Sequence, residues 1–434
     1  MPESVNWKTA RTGQFFSKEA GVTFMATRST QPAASTPNYT VPFIIVTALF
    51  GIFGFLTSLN NQLVGKLKEV FNLSYGPSAL ATAAWFFAYL VFSVPSGKLI
   101  EKVGYKSTMV ISLFVMVIGA LLFVPAANMV SFPMTLFAIF VLASGVTALQ
   151  TSANPYVAIL GPESSASARL NLAQAFNSGA SALAPWVAAT VILAHAGNAT
   201  TPAAEAHMLE GPYVLIAGAL LVLGFVVMFL HLPAIAMAPS SGQAAGAPGR
   251  GIWSYSHTVL GMVGIFFYVG VEIALASYGI QYCQAQGMTN VQTAGLMVLL
   301  YYLGIMAGRF VGSALMSVIK PEKMLVVLGL FGVALLLVSM LSSGPVAIWS
   351  LVLCGLANSI MYPTIFALGI AELGPLTSEG SGIINMGNVG GAVIPLLFGA
   401  LADKVGMQHA FVIPIVGYLF ITYYGLSGYK PSRP

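Results

Sequence analysis

The chain has 434 residues, 57% of them hydrophobic and only 7% charged. A soluble protein of this size carries roughly a quarter charged residues, so the composition excludes a soluble globular domain and marks a membrane protein. The net charge of +5 has no soluble basic face to occupy, which excludes nucleic acid as a partner and points to basic loops on one side of a bilayer.

Residues 1–40 hold no apolar core of signal-peptide length and are expected to form a mobile cytoplasmic tail, with Met25 as an alternative translation start. Apolar runs of about 20 residues then recur, each long enough to cross a membrane as a helix. They fall near 42–64, 79–99, 107–127, 132–160, 171–194, 212–232, 257–282, 292–316, 324–342, 345–371, 381–402 and 409–428. A stretch rich in Pro, Gly, Ser and Ala, 233–256, separates six runs from six and reads as a cytoplasmic linker. The expected fold is an all-α membrane protein of twelve transmembrane helices in two pseudo-symmetric six-helix halves. The halves would span 41–232 and 257–428, with a cytoplasmic tail at 429–434.

Basic residues fix the orientation. With the N-terminus inside, Lys8, Arg11, Lys18, Arg28, Lys98, Lys102, Lys106, Arg169, Arg250, Arg309, Lys320, Lys323, Lys430 and Arg433 fall on the inner side. Only Lys66, Lys68 and Lys404 fall outside. Both termini are therefore expected to be cytoplasmic, in a cell (inner) membrane. Cys283 and Cys354 stand alone in apolar runs, so neither a disulfide framework nor a metal site is expected. No nucleophile–base set appears, so the reading is a non-enzyme without cofactor, a monomer whose macroscopic partner is the lipid bilayer.

The two halves repeat each other. "QTSANPYVAILG" aligns with "NSIMYPTIFALG", pairing Gln150 with Asn358 and Pro155 with Pro363 at an offset of 208. "LAQAFNSGASALAP" aligns with "IINMGNVGGAVIP", pairing Gln174 with Asn385 and Asn177 with Asn388 at 211. At that offset Asn61, next to Asn60 in the first span, matches Glu272 in the seventh. Halves related by an axis along the membrane normal place a site between them, near the midplane. Amides offer donors and acceptors together, as the hydroxyls of a sugar require, and suit ions or lipids poorly. The competing reading is interhelical glue, worth roughly 0.6 kcal/mol per bond. The aromatic residues Trp85, Phe86, Phe87, Tyr89, Tyr301 and Tyr302 could stack on a sugar ring or simply pack.

Of twelve acidic residues, only Glu272 sits mid-helix. An intramembrane carboxyl is expensive and functional by default. It could take up a proton, help coordinate sodium, bond a sugar hydroxyl, or tie two helices together.

"SGKLIEKVGYKS" resembles the loop signature of the major facilitator superfamily, through Gly97, Glu101, Lys102, Gly104 and Lys106. The matching segment after the eighth span brings Arg309 into the same conformational gating set. "ANPYVAILGPESSASARLNLAQAFNSGASALAP", "YPTIFALGI" and "YVGVEIALASY" resemble the fucose–galactose–glucose symporter family, glucose/galactose branch. That resemblance implies import of a hexose driven by H+ or Na+. It also implies that Gln150, Gln174, Asn177, Tyr362 and Glu272 face the central cavity. The family usually reads L-N-D in the first span, where this chain reads L-N-N. Asn61 thus replaces an acid, leaving three readings open: a symporter coupled through Glu272 alone, an uncoupled facilitator, or a non-transporting sugar sensor.

Overall fold

The computed structural model describes residues 39–70, 75–187, 210–230, 232–233 and 251–431; the side chains at 60–70, 75–79, 185 and 186 lie outside that description. The tail expected at 1–40 and the linker expected at 233–256 therefore fall largely outside it. Tyr39–Pro434 forms one compact unit. Every regular element among the described residues is helical.

The first group comprises α1 (Thr40–Val70), α2 (Tyr75–Leu121), α3 (Phe123–Asn128), α4 (Phe132–Ile159), α5 (Ala166–Val187) and α6 (Glu210–Phe229). The second comprises α7 (Ser256–Ser277), α8 (Gly279–Ala285), α9 (Val291–Leu315), α10 (Pro321–Leu341), α11 (Gly344–Asn358), α12 (Met361–Gly369), α13 (Thr377–Met386), α14 (Gly390–Val405), α15 (Met407–Ala410) and α16 (Val412–Tyr423). Helix starts follow local chemistry. Ser131 caps α4 by accepting from Met134 N at 3.4 Å, and Asn290 caps α9 by accepting from Gln292 N at 2.8 Å.

Ten helical stretches among the described residues are long and apolar enough to cross a membrane. One, Leu80–Asn128, runs 49 residues. At 1.5 Å per residue that is about 70 Å, roughly twice a bilayer core. It is two crossings that meet at Gly104, where the backbone turns at φ 81° and ψ 168°. α5 misses the ten because its serines and amides, Asn171, Gln174 and Asn177 among them, lower its hydropathy. Counting both, the helices are consistent with twelve crossings.

Only glycine adopts the Gly104 conformation without strain, and a Cβ there would meet nothing within 4 Å. Gly104→Ala is therefore expected to lower stability by about 1–3 kcal/mol through backbone strain alone. Thermal unfolding of the detergent-purified protein measures this, and an unchanged melting temperature would contradict it.

Within the first group α1 packs on α5, and α2 on α4 and α6; within the second α7 packs on α14, and α11 on α9 and α10. Between the groups, α2 meets α13 and α5 meets α9. The α2–α13 approach is close because both sides present glycine. A Cβ on Gly97 would lie 2.7 Å from Ser378 O, and one on Gly382 would lie 2.7 Å from Ser93 O. Ser378 Oγ also donates to Glu101 Oε1 at 3.2 Å. These contacts shut the end of the bundle that carries Gly97–Lys106, here termed the basic end.

Candidate functional site

The site is built where prolines interrupt helices. A proline has no N–H, so the carbonyl four residues earlier loses its helical partner. In membrane helices such carbonyls are satisfied by side chains of neighbouring helices. Pro155 inside α4 frees Thr151 O, to which Ser381 Oγ of α13 donates at 2.7 Å. Its repeat mate Pro363 frees Ser359 O where α11 gives way to α12, and Arg309 Nε of α9 donates there at 3.0 Å. Ser181 O, four residues before Pro185, receives Ser58 Oγ of α1 at 2.9 Å.

Beside these breaks, amides form a continuous chain from one helix group to the other. Gln174 Nε2 of α5 donates to Asn154 Oδ1 of α4 at 3.2 Å. Asn154 Nδ2 donates to the Tyr362 hydroxyl of α12 at 3.3 Å, and that hydroxyl donates to Asn385 Oδ1 of α13 at 3.1 Å. Asn385 Nδ2 returns to the first group, donating to Thr151 Oγ1 at 2.8 Å and Thr147 O at 3.3 Å. Asn388 Nδ2 completes the cluster by donating to Asn385 Oδ1 at 2.8 Å. Asn154 and Asn385 are fully buried, whereas Gln174, Tyr362 and Asn388 each keep 6–8% exposure. The outer members can thus meet a ligand while the inner ones hold them in place.

Glu272 is half-buried on α7. Its carboxylate lies within electrostatic reach of the hydroxyls of Tyr268, Tyr301, Tyr302 and Tyr362. Tyr268, one helical turn earlier, interacts with Glu272 on one side and accepts from Arg309 Nη2 at 3.4 Å on the other.

Arg309 requires a correction. The sequence puts it in the conformational gating loop, but the residue lies buried within α9, against the first helix group. The remaining gating residues sit at the basic end: Gly97 and Glu101 against Ser378, Lys102 exposed, and Lys106 Nζ donating to Met228 O at 2.8 Å.

Three expected cavity residues turn elsewhere. Gln150 faces a narrow cleft within the first group, lined by Val46, Phe50, Met109 and Leu113, where its Oε1 has no hydrogen-bond partner. Its mate Asn358 is bound inside the second group, donating to the Tyr301 hydroxyl at 2.6 Å and accepting from Tyr418 at 2.9 Å. Asn177 Nδ2 ties α5 to α1 by donating to Phe50 O at 2.9 Å. Asn60 and Asn61 lie on α1, with side chains outside the described residues.

Sequence reasoning passed over Asn154, Thr151, Ser178 and Tyr268. Asn154 was legible, because the offset of 208 that pairs Gln150 with Asn358 also pairs Asn154 with Tyr362. Those two repeat mates bond each other directly.

Comparison with known proteins agrees with this architecture. Residues 43–394 match the Major Facilitator Superfamily, and the chain belongs to that superfamily of multi-pass membrane proteins. It is 42% identical over 401 residues to the glucose/galactose transporter of Brucella abortus biovar 1 (strain 9-941), covering 92% of this chain and 96% of that protein. Among solved structures, the fold is similar to that of the E. coli fucose:proton symporter FucP, with a TM-score of 0.82, 29% identity, and coverage of 90% and 99%. A second crystal structure of FucP, in the outward conformation, gives a TM-score of 0.81 with the same identity and coverage.

Proposed function

We propose that the protein is a secondary active transporter that imports a hexose, such as glucose or galactose, by alternating access. The carrying observation is the amide chain Gln174–Asn154–Tyr362–Asn385, which joins both helix groups and whose less buried members, Gln174 and Tyr362, can exchange bonds within the chain for bonds to sugar hydroxyls. Amides and a phenol supply donors and acceptors at several angles, which matches a ring bearing hydroxyls. The glucose/galactose and fucose relatives support the same substrate class. In the structure the groups meet at the basic end, as an outward-facing state requires. The reading keeps both termini cytoplasmic in an inner membrane, with a monomer rocking its two halves about the linker.

Glu272 is the carboxyl that would couple transport to H+ or Na+, since it reaches the amide cluster through Tyr362. A second reading, the uncoupled facilitator, is favoured by one observation: Asn61, the repeat mate of Glu272, is an amide, and an amide neither takes up nor releases a proton.

Uptake of labelled glucose and galactose into vesicles, with imposed proton or sodium gradients, separates these. Symport predicts accumulation above the external concentration under one gradient. Equal uptake with and without gradients would leave the facilitator. Binding without any uptake would leave only a sensor.

A further inference from the structure

An amide side chain can turn either its oxygen or its N–H groups to a neighbour, and a neighbour with only one role settles which. A backbone carbonyl is such a neighbour, because it only accepts. Asn385 Nδ2 lies 3.3 Å from Thr147 O and 2.8 Å from Thr151 Oγ1, whose own proton goes to Thr147 O at 2.8 Å. The N–H side of Asn385 is thereby fixed, and its oxygen must face Tyr362.

Each link then dictates the next. The Tyr362 hydroxyl commits its single proton to Asn385 Oδ1 at 3.1 Å, so toward Asn154 it can only accept. Asn154 therefore turns Nδ2 to that hydroxyl and Oδ1 to Gln174, which must supply an N–H. Asn388 is fixed separately, with Nδ2 donating to Asn385 O and to Asn385 Oδ1, both at 2.8 Å. Thr147, Thr151, Asn154 and Asn385 are fully buried, which keeps water from standing in for any of these partners.

The less buried members are left with mostly oxygen to offer. Gln174 keeps its carbonyl oxygen and one N–H, Asn388 its carbonyl oxygen, and the Tyr362 hydroxyl one lone pair. Among the described residues none of these is otherwise hydrogen-bonded, so the edge of the cluster presents three acceptors against one donor.

We propose that this polarity makes the cluster a reader of donor hydroxyls. It is set by the Thr147 carbonyl and relayed through Thr151, Asn385, Tyr362 and Asn154. The bound hexose gives protons to Gln174 Oε1 and its neighbours rather than receiving them. A hydroxyl replaced by fluorine, which cannot donate, is refused as firmly as one replaced by hydrogen. This deepens the hexose reading and rests on it, by stating which half of a hydroxyl the site uses.

The experiment is binding of labelled glucose and galactose to the detergent-purified chain, in competition with deoxy and fluoro analogues at C2, C3, C4 and C6. A C–F group accepts weakly and never donates, whereas C–H does neither. At one position or more, both analogues are expected to bind about tenfold more weakly than the parent sugar, since either leaves a desolvated acceptor unmatched. Gln174→Leu is expected to bring parent, deoxy and fluoro sugars to similar affinity at the position it reads. A purely structural loss would weaken all three and keep their ratio. Tyr362→Phe cuts the chain and frees Asn154 and Gln174 to turn over together, so the fluoro sugar is expected to overtake the deoxy sugar there. It carries the test if Gln174→Leu fails to fold. Fluoro sugars that outbind deoxy sugars at every sensitive position of the parent would overturn the proposal and leave the hexose reading standing. An analogue ratio that neither variant moves would do the same. No binding of either labelled hexose would overturn the hexose reading, and the proposal with it.

Discussion

Glu272→Gln, in vesicles with an imposed gradient, is expected to bring internal hexose down to the external concentration while leaving exchange of labelled for unlabelled sugar intact. The substitution keeps the size of the side chain and its capacity to bond Tyr268, but removes the charge and the proton site. Net coupled transport needs the empty carrier to return with the carboxyl in its other protonation or ion-bound state. Exchange does not, because the sugar-loaded carrier shuttles both ways. If Asn61 has left Glu272 as the sole coupling group, the loss of accumulation is complete. Accumulation that persists in Glu272→Gln would remove Glu272 from coupling.

Asn385→Ala is expected to have the second-largest effect, and on two observables at once. The Asn385 carboxamide takes part in side-chain bonds to Tyr362, Asn388, Thr151 and Thr147. At roughly 0.6 kcal/mol per interhelical bond in a membrane bundle, its removal costs about 2 kcal/mol of stability. Only the bonds to Thr151 and Thr147 cross between helix groups, so about 1 kcal/mol of that favours the parted state, a shift of roughly fivefold in its population. Hexose affinity should fall too, because Tyr362 loses the acceptor that orients its hydroxyl. Thermal unfolding and equilibrium sugar binding measure the two effects. A variant with parent-like melting temperature and affinity would show that the amide chain is incidental to the site.

Much of the fold was legible because it rests on long apolar runs and on where lysines and arginines cluster. The repeat was also legible, and it led to the amide cluster of the candidate site: Gln174, Asn385 and Asn388 are in that cluster, and Asn154 meets its own mate Tyr362. Other positions were not readable from letters. Gln150 lies one turn before Asn154, yet about 5 Å along the axis is enough to carry it past the contact between groups and into the first group's interior cleft. Its helix is apolar on every side, so no amphipathic face announces which way an amide points. Arg309 was misplaced for a different reason. What lets it be buried are two backbone carbonyls, Ser359 O and Gln174 O, and carbonyls are the same in every residue. Only the proline at 363 hinted that one of them was free.

The paired prolines carry a mechanical asymmetry that the repeat conceals. Thr151 O, exposed by Pro155, is satisfied from the opposite helix group, whereas Ser359 O, exposed by Pro363, is satisfied from its own. In the proposed alternating-access cycle, parting of the groups would hand the first carbonyl to water and take it back, while the second would keep its partner throughout. Duplication thus left two kinks of the same origin with different duties. In that cycle one would act as a wetted hinge that opens with the pathway, and the other as a dry splint that travels with its half.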